Sequence, residues 1–435
     1  MGKSQNLYIK AKKIIPGGTQ LLSKRPEMFL PDLWPSYYKA ARGVEVWDLD
    51  ERKYYDMGIM GIGTCVLGYA NEQINKAVKS SIDTGSMSTL NAPEEVSLAE
   101  KLIQLHPWSD KVRFARTGGE AVSIAIRIAR AHANKSKVAF CGYHGWHDWY
   151  LSANLNDKNG LSNQLLPGLS PVGIPKELKN TSFPFNYGDF DQFDQIISDE
   201  SDELGVVIME VQRYKNLDLD FLNHVREVTS KRNVVLIFDE ISSGFRVNIG
   251  GIHLLHGITP DMAIFGKALG NGFSISAIIG NNRVMSAAQS SFISSSYWTE
   301  RTGYVAALET LNFYEKFHVI QRISELGRYI RKGLKEIFTE LDLEISAEGG
   351  LDSVVSIDIK EENPSVIKTF FIQEMLERGF LASTLIYVSF AHSEEIIDLY
   401  IHHCREVFGV VAENKKNLET LLKSDVCHTG FYRLN

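Results

Sequence analysis

Between Val234 and Gly272 the chain reads VVLIFDEISSGFRVNIGGIHLLHGITPDMAIFGKALGNG, and in it two nearly all-apolar runs each end on charged residues. The first run stops at Asp239-Glu240, and the second, Met262 to Phe265, passes through Gly266 into Lys267. Short apolar runs bounded by Gly and polar residues are what strands buried on both faces look like, as in a parallel sheet covered by helices. A lysine directly after such a strand loses hydration, which favours its neutral, nucleophilic amine. In an open α/β sheet the ligand lies at the carboxyl ends of the strands, so the stretch calls for a site that uses a carboxylate and an amine together.

The surrounding pattern agrees with such a sheet. Val112 to Ala115 and Lys137 to Cys141 read as strands, Glu120 to Ala133 as an amphipathic helix, and Gly205 to Glu210 as another buried strand. At 435 residues the chain is longer than one core usually grows. The expected division is an N-terminal arm with part of a small domain over 1–75, a large sheet domain over 76–315, and the rest of the small α+β domain over 316–435. Within the first part, Gly43 to Trp47 and Lys53 to Asp56 alternate as a hairpin, while the Pro- and aromatic-rich stretch before Gly43 reads as an irregular wrapping arm. Asn154 to Phe183 reads as a loop and Glu300 to Glu340 as one long helical region.

Composition removes other classes. A formal net charge of −7 gives no bulk attraction for nucleic acid or acidic membranes. No apolar run is long enough to span a bilayer, and no secretory leader is evident, so a cytoplasmic location is expected. Cys65, Cys141, Cys404 and Cys427 are scattered without CxxC spacing and read as reduced thiols. His144 and His147 with Asp148, and His402-His403-Cys404, lack a recognisable ligand spacing, so no metal site is expected.

Three further features complete the constellation. Arg116-Thr117-Gly118-Gly119-Glu120-Ala121 follows a strand and opens a helix, where adjacent glycines and unsatisfied amides suit a phosphate. Tyr143, in GYHGWHDW after Cys141, can lie flat on a cofactor ring, and Ile241 is the candidate for the opposite face. Asp239 can keep a pyridine nitrogen protonated, and Lys267 can condense with an aldehyde. Together these residues point to pyridoxal phosphate (PLP).

The motifs PGG at Pro16, VEVWDLDERKYYD, VRFARTGGEA, GYHGWHDW, FDEISSGFRVNIGG and FGKALGNG resemble the class III aminotransferases of PLP fold type I, in the branch similar to glutamate-1-semialdehyde aminomutase. The resemblance implies a homodimer with both active sites at the interface and a Schiff-base lysine at Lys267. It also implies cofactor contacts from Thr117, Gly118, Gly119, Tyr143, His144, Glu210, Asp239 and Ile241. A phosphate ligand for the partner subunit falls at Ser296, with Thr299 as the substitute, where SSSYWTERTG departs from the family's TFGGNP-like stretch. The Pro and Gly usual after Glu210 are also missing. Lys24, Arg25 and Arg213 are candidate substrate-side cations, and Ile62 stands where the aminomutase has an aromatic in its pocket. LSK, GYHGWHDW and the WTER-like segment are similar to aminotransferases found with surface-polysaccharide genes. The implied reaction moves an amino group from a donor such as glutamate to an aldehyde or ketone, sugar-derived in that branch. The alternative is the intramolecular transfer of the aminomutase, and a PLP-fold protein without catalysis is the third reading.

Overall fold

A computed structural model describes residues 2–157, 160–212, 216–432 and 434. The chain divides into two compact units, one built from residues up to Asn71 together with those from Gln321 onward, the other from Glu72–Ile320.

The second unit carries a seven-stranded sheet. In chain order its strands are β1 Lys111–Ala115, β2 Lys137–Cys141, β3 Ser182–Pro184, β4 Leu204–Glu210, β5 Val235–Asp239, β6 Met262–Phe265 and β7 Ser276–Gly280. They lie in the order β1-β7-β6-β5-β4-β2-β3. All adjacent pairs are parallel except those of β7, which runs antiparallel to both β6 and β1. Register fixes which ends meet: Glu210 stands opposite Asp239, and Asp239 opposite Ile264. The apolar composition of β4 to β7 follows from burial on both faces.

Helix α1, Gly118–Ala133, covers this sheet through Ala121, Val122, Ala125, Ile128 and Ala129, which join the main core with Ile208, Ile237 and Ile264. Flanking helices start on acidic caps: Asp189 accepts from Gln192 N at 3.0 Å and Asp218 from Phe221 N at 2.9 Å. The helices Glu72–Asp83 and Pro93–Leu105 pack on Arg301–Phe317, where Arg301 makes a bidentate pair with Glu94 at 2.7 and 2.9 Å. The long helical region is in fact two helices, Arg301–Phe317 and Val319–Glu340, broken at His318 with φ 51. The expected loop also contains short helical turns and the edge strand β3.

In the first unit the hairpin is present as Glu45–Asp48 against Lys53–Met57. One expectation fails there: the end of the supposed irregular arm, Tyr38–Arg42, is a strand paired antiparallel with Glu45–Asp48. Its YKAAR sequence is mostly exposed, so no burial pattern marked it. Phe380–Ala382 adds to the same sheet in parallel with Lys53–Met57.

The loop after β5 is anchored by a buried carboxylate. Glu240 accepts hydrogen bonds from Ile252 N at 2.8 Å, Ser243 Oγ at 3.0 Å and the His253 ring at 2.7 Å. Burial opposes its charge, yet the His253 ring and backbone amides outweigh that and hold the carboxyl below its ordinary value. Trp108 Nε1 donates to His253 Nε2 at 2.9 Å, and Gly251 N donates to His106 Nε2 at 3.1 Å. A Cβ on Gly251 would come within 2.4 Å of the His253 ring, so the glycine is required by the pair beside it.

His106 is fully buried and its pKa is pushed down to about 4 by desolvation. A depressed histidine pKa means the unfolded chain takes the proton first as pH falls below about 6.5, so stability is lost between there and about 4. Lowering the pH from 7 to 5 should therefore cost roughly 2 kcal/mol through His106. Urea unfolding at the two pH values checks this, and His106→Gln should flatten the difference.

Candidate active site

Thr117 caps α1, its Oγ1 accepting Glu120 N at 3.3 Å, while Glu120 Oε2 accepts the amides of Thr117 at 3.0 Å and Arg116 at 3.1 Å. This capping box occupies two amides of the turn. Those of Gly118 and Gly119 have no earlier helical carbonyl to bond, and they stand at the positive end of the helix. A Cβ on Gly118 would lie 3.0 Å from Ile241 Cδ1, and one on Gly119 would lie 3.0 Å from His147 Cε1. Bare backbone is what allows the turn to approach Ile241 so closely.

Asp239 closes β5 and is 3% exposed. Its Oδ1 accepts Ile241 N at 3.0 Å and its Oδ2 lies 2.8 Å from His144 Nδ1. His144 Nε2 is 3.0 Å from Cys141 O. Both ring nitrogens face oxygen acceptors. One strand over, Glu210 Oε2 accepts Tyr143 N at 3.1 Å. Gly142 makes room for it: its φ is +107, and a Cβ there would sit 2.6 Å from the same oxygen. Tyr143 is half-buried and packs edge-on against Tyr150 at 6.2 Å.

Lys267 follows β6 with φ 42, a left-handed conformation uncommon for a residue with a side chain. Its Nζ donates to Ser242 Oγ at 2.5 Å. Ser242 is held in turn through its carbonyl, which accepts Arg246 Nε at 2.8 Å from a fully buried arginine. Ile241 lies between two glycines, since a Cβ on Gly266 would meet its Cγ2 at 3.4 Å. The structure therefore brings Gly118, Ile241 and the Gly266-Lys267 backbone together, and at the ends of adjacent strands it forms two hydrogen-bonded pairs, Asp239 with His144 and Glu210 with the Tyr143 amide.

Other candidates lie elsewhere. Ser296 and Thr299 occupy an exposed turn, Ser296–Thr299, in which Thr299 Oγ1 donates to Ser296 O at 2.9 Å. Lys24 and Ile62 belong to the first unit, Lys24 on the turn Leu22–Lys24 and Ile62 in a left-handed stretch with φ 61. Arg25 donates to Tyr432 O at 3.1 Å and lies over the Phe431 ring. Arg213 falls outside the described residues. His402 and His403 sit with Glu406 on the helix Glu394–Glu413, their ligand atoms within 4.8 Å, and Arg378 stands 3.5 Å from the Glu406 carboxylate. Ser242 and Arg246 were not singled out from sequence, because nothing in SSGFR distinguishes a site hydroxyl from a turn residue.

The chain matches the Aminotransferase class-III family over residues 32–393. It belongs to the class-III aminotransferases. It is 28% identical to the 3-aminobutyryl-CoA aminotransferase of Cloacimonas acidaminovorans (strain Evry), over 96% of this chain and 99% of that one. It is 31% identical to the glutamate-1-semialdehyde 2,1-aminomutase of Methanococcoides burtonii, over 82% of this chain and 84% of that one. The fold resembles that of the FumI protein of Sphingopyxis sp. MTA144, solved in a PLP form, with a TM-score of 0.86, 23% identity and coverage of 97% and 100%. This class-III enzyme uses PLP, and its α/β fold with a mostly parallel seven-stranded sheet is that of the PLP transaminases.

The chemistry of the residues fits that cofactor. Amides at a helix start suit its phosphate, a buried carboxylate suits its ring nitrogen, and an amine held at a strand end suits its aldehyde. Ser242→Ala removes a hydroxyl that is bonded to Lys267 Nζ. The loss of about 1 kcal/mol should slow the reaction of the bound cofactor with an amino donor by roughly fivefold, read in a single-turnover absorbance trace.

Proposed function

We propose that this class-III enzyme is an intermolecular aminotransferase, passing nitrogen from an amino acid donor such as glutamate to an aldehyde or ketone. The observation that carries the reading is Lys267 Nζ, fixed on Ser242 at the end of β6, one strand from the buried Asp239. PLP, when bound, supplies an aldehyde that condenses with amines and a pyridine ring that draws electrons from the substrate carbon. Gly118, Gly119 and Thr117 would hold the phosphate and Asp239 would serve the ring nitrogen, with its carboxylate fixed by His144. Tyr143 and Ile241 would pack on the ring. Glu210 positions Tyr143 through its backbone amide. Lys267 would move a proton from the substrate carbon to the cofactor carbon that carries the transferred nitrogen.

In this reading the protein is a cytoplasmic homodimer, with Ser296 or Thr299 reaching the neighbouring copy's phosphate. Lys24, Ile62 and Arg213 contribute on the substrate side. The acceptor is a sugar-derived carbonyl of the kind used in surface-polysaccharide synthesis, which the LSK, GYHGWHDW and WTER-like segments support. Near full-length similarity to a relative named as an aminotransferase supports transfer between two substrates. A second reading, intramolecular transfer, has support from the 31% identity to an aminomutase.

Mixing the PLP-loaded protein with glutamate should convert the cofactor to its amine form and release one keto acid per site. If no amino acid does this while a single amino-aldehyde is isomerised without donor, the second reading holds. Lys267→Ala should lower the transfer rate by roughly 10²–10⁴-fold, measured in the same trace.

A further inference from the structure

Arg116 precedes the phosphate turn, yet its side chain faces a different segment. Its Nε donates to Tyr297 O at 2.5 Å, its Nη1 to Ser274 O at 3.1 Å, and its Nη2 to Trp298 O at 3.3 Å and to Glu300 O. The guanidinium lies 5.1 Å from the centroid of the Tyr304 ring, and the Glu300 carboxylate stands 3.7 Å away. Tyr304 itself donates its hydroxyl to Trp298 O. A Cβ on Gly303 would fall 2.3 Å from Arg116 Nη1 and 2.6 Å from Ser274 O, so the first turn of the helix Arg301–Phe317 is bare where the guanidinium passes.

A largely buried guanidinium satisfied by four backbone carbonyls specifies a backbone shape. The planar fork offers donors in fixed directions, which a point-charge ammonium does not. Pulling the carbonyls of Tyr297, Trp298 and Glu300 onto one group leaves the side chains of Ser296, Tyr297 and Thr299 exposed. The backbone amide of the same arginine is tied into the Thr117–Glu120 capping box. One residue thus joins two segments: the turn read as the phosphate site of its own subunit, and the turn read as reaching the neighbour's phosphate.

We infer that Arg116 is a positioning residue for cofactor retention, clamping the Ser296–Thr299 turn in the shape that lets its hydroxyls meet the phosphate held by a second copy. The inference rests on the homodimer reading above. It assigns Arg116 no contact with substrate.

The test measures PLP release from the loaded full-length protein by dilution into a PLP scavenger, alongside sedimentation velocity and cleavage of the 291–300 segment by a protease. Arg116→Ala should release PLP at least tenfold faster than the parent and expose the segment to cleavage. Arg116→Lys should stay within threefold of the alanine variant, and millimolar guanidinium should restore retention in Arg116→Ala. Gly303→Ala keeps the arginine but crowds both its guanidinium and Ser274 O, so it should speed release and also lower the melting temperature of the PLP-free protein. Retention unchanged in Arg116→Ala and Gly303→Ala, in a protein that sediments as a dimer, overturns the clamp and leaves the aminotransferase reading intact. Full restoration by lysine also overturns it, because charge alone would then suffice. A monomeric parent protein that retains PLP overturns the homodimer reading and the clamp together.

Discussion

A carboxylate withdrawn from water keeps its charge only if other groups replace the lost hydration, and Asp239 is 3% exposed. The replacements come from neighbouring chain ends. Ile241 N serves one oxygen, His144 serves the other, and His144 leans on the carbonyl of Cys141 at the end of β2. Cys141 pairs with Met209 of β4, and Met209 with Phe238 of β5. These contacts therefore depend on the mutual register of three parallel strands. A slip of one residue would turn Asp239 to the other face and break its bond to His144.

The next residue shows the same economy in the opposite direction. Glu240 is also fully buried, but it turns toward His253 and the amides of Ile252 and His253. Two adjacent carboxylates thus have separate surroundings, one at the ligand edge and one anchoring the loop that carries Ser242 and Arg246. The Glu240 anchor explains the bare Gly251, and the Asp239 group explains Gly142, whose added Cβ would strike Glu210. These glycines mark where charged side chains crowd the backbone.

Much of the sheet was legible in the sequence because β2, β4, β5 and β6 are buried on both faces and read as nearly uninterrupted apolar runs, whereas β3, inside the expected loop, and β7 were not read as strands. Asp239 and Lys267 were legible for the same reason, as charges standing where such runs end. Tyr38–Arg42 was not, since an exposed edge strand has no apolar period to detect. Ser242 and Arg116 were hidden for another reason: their partners, Lys267 and the Tyr297 to Glu300 carbonyls, are 25 and 181 to 184 residues away. Contacts of that range are products of the fold, and a turn serine or a strand-end arginine carries no local sign of them. His144 stood between these cases, visible as part of GYHGWHDW but with its Asp239 partner set only by register.

Strain adds a distinction that composition could not supply. Met60, Gly61, Ile62 and Gly63 all have positive φ, at 39, 64, 61 and 73 degrees. For side-chain-bearing residues such a conformation costs on the order of 1–2 kcal/mol each, and Ile62 is β-branched. The turn persists because its surroundings over-determine it. Asp56 accepts Gly58 N at 3.0 Å and the Tyr69 hydroxyl at 2.5 Å, Gly63 N bonds Ile59 O at 2.7 Å, and Thr64 caps Gly61 O at 2.8 Å. Burial pushes the Asp56 carboxyl up even against those hydrogen bonds, so the turn is held by a group that itself bears a desolvation cost. Glycine at position 62 would relieve part of the strain, and the chain carries isoleucine instead. Local backbone comfort has yielded there to the hydrogen bonds that hold the surrounding turn.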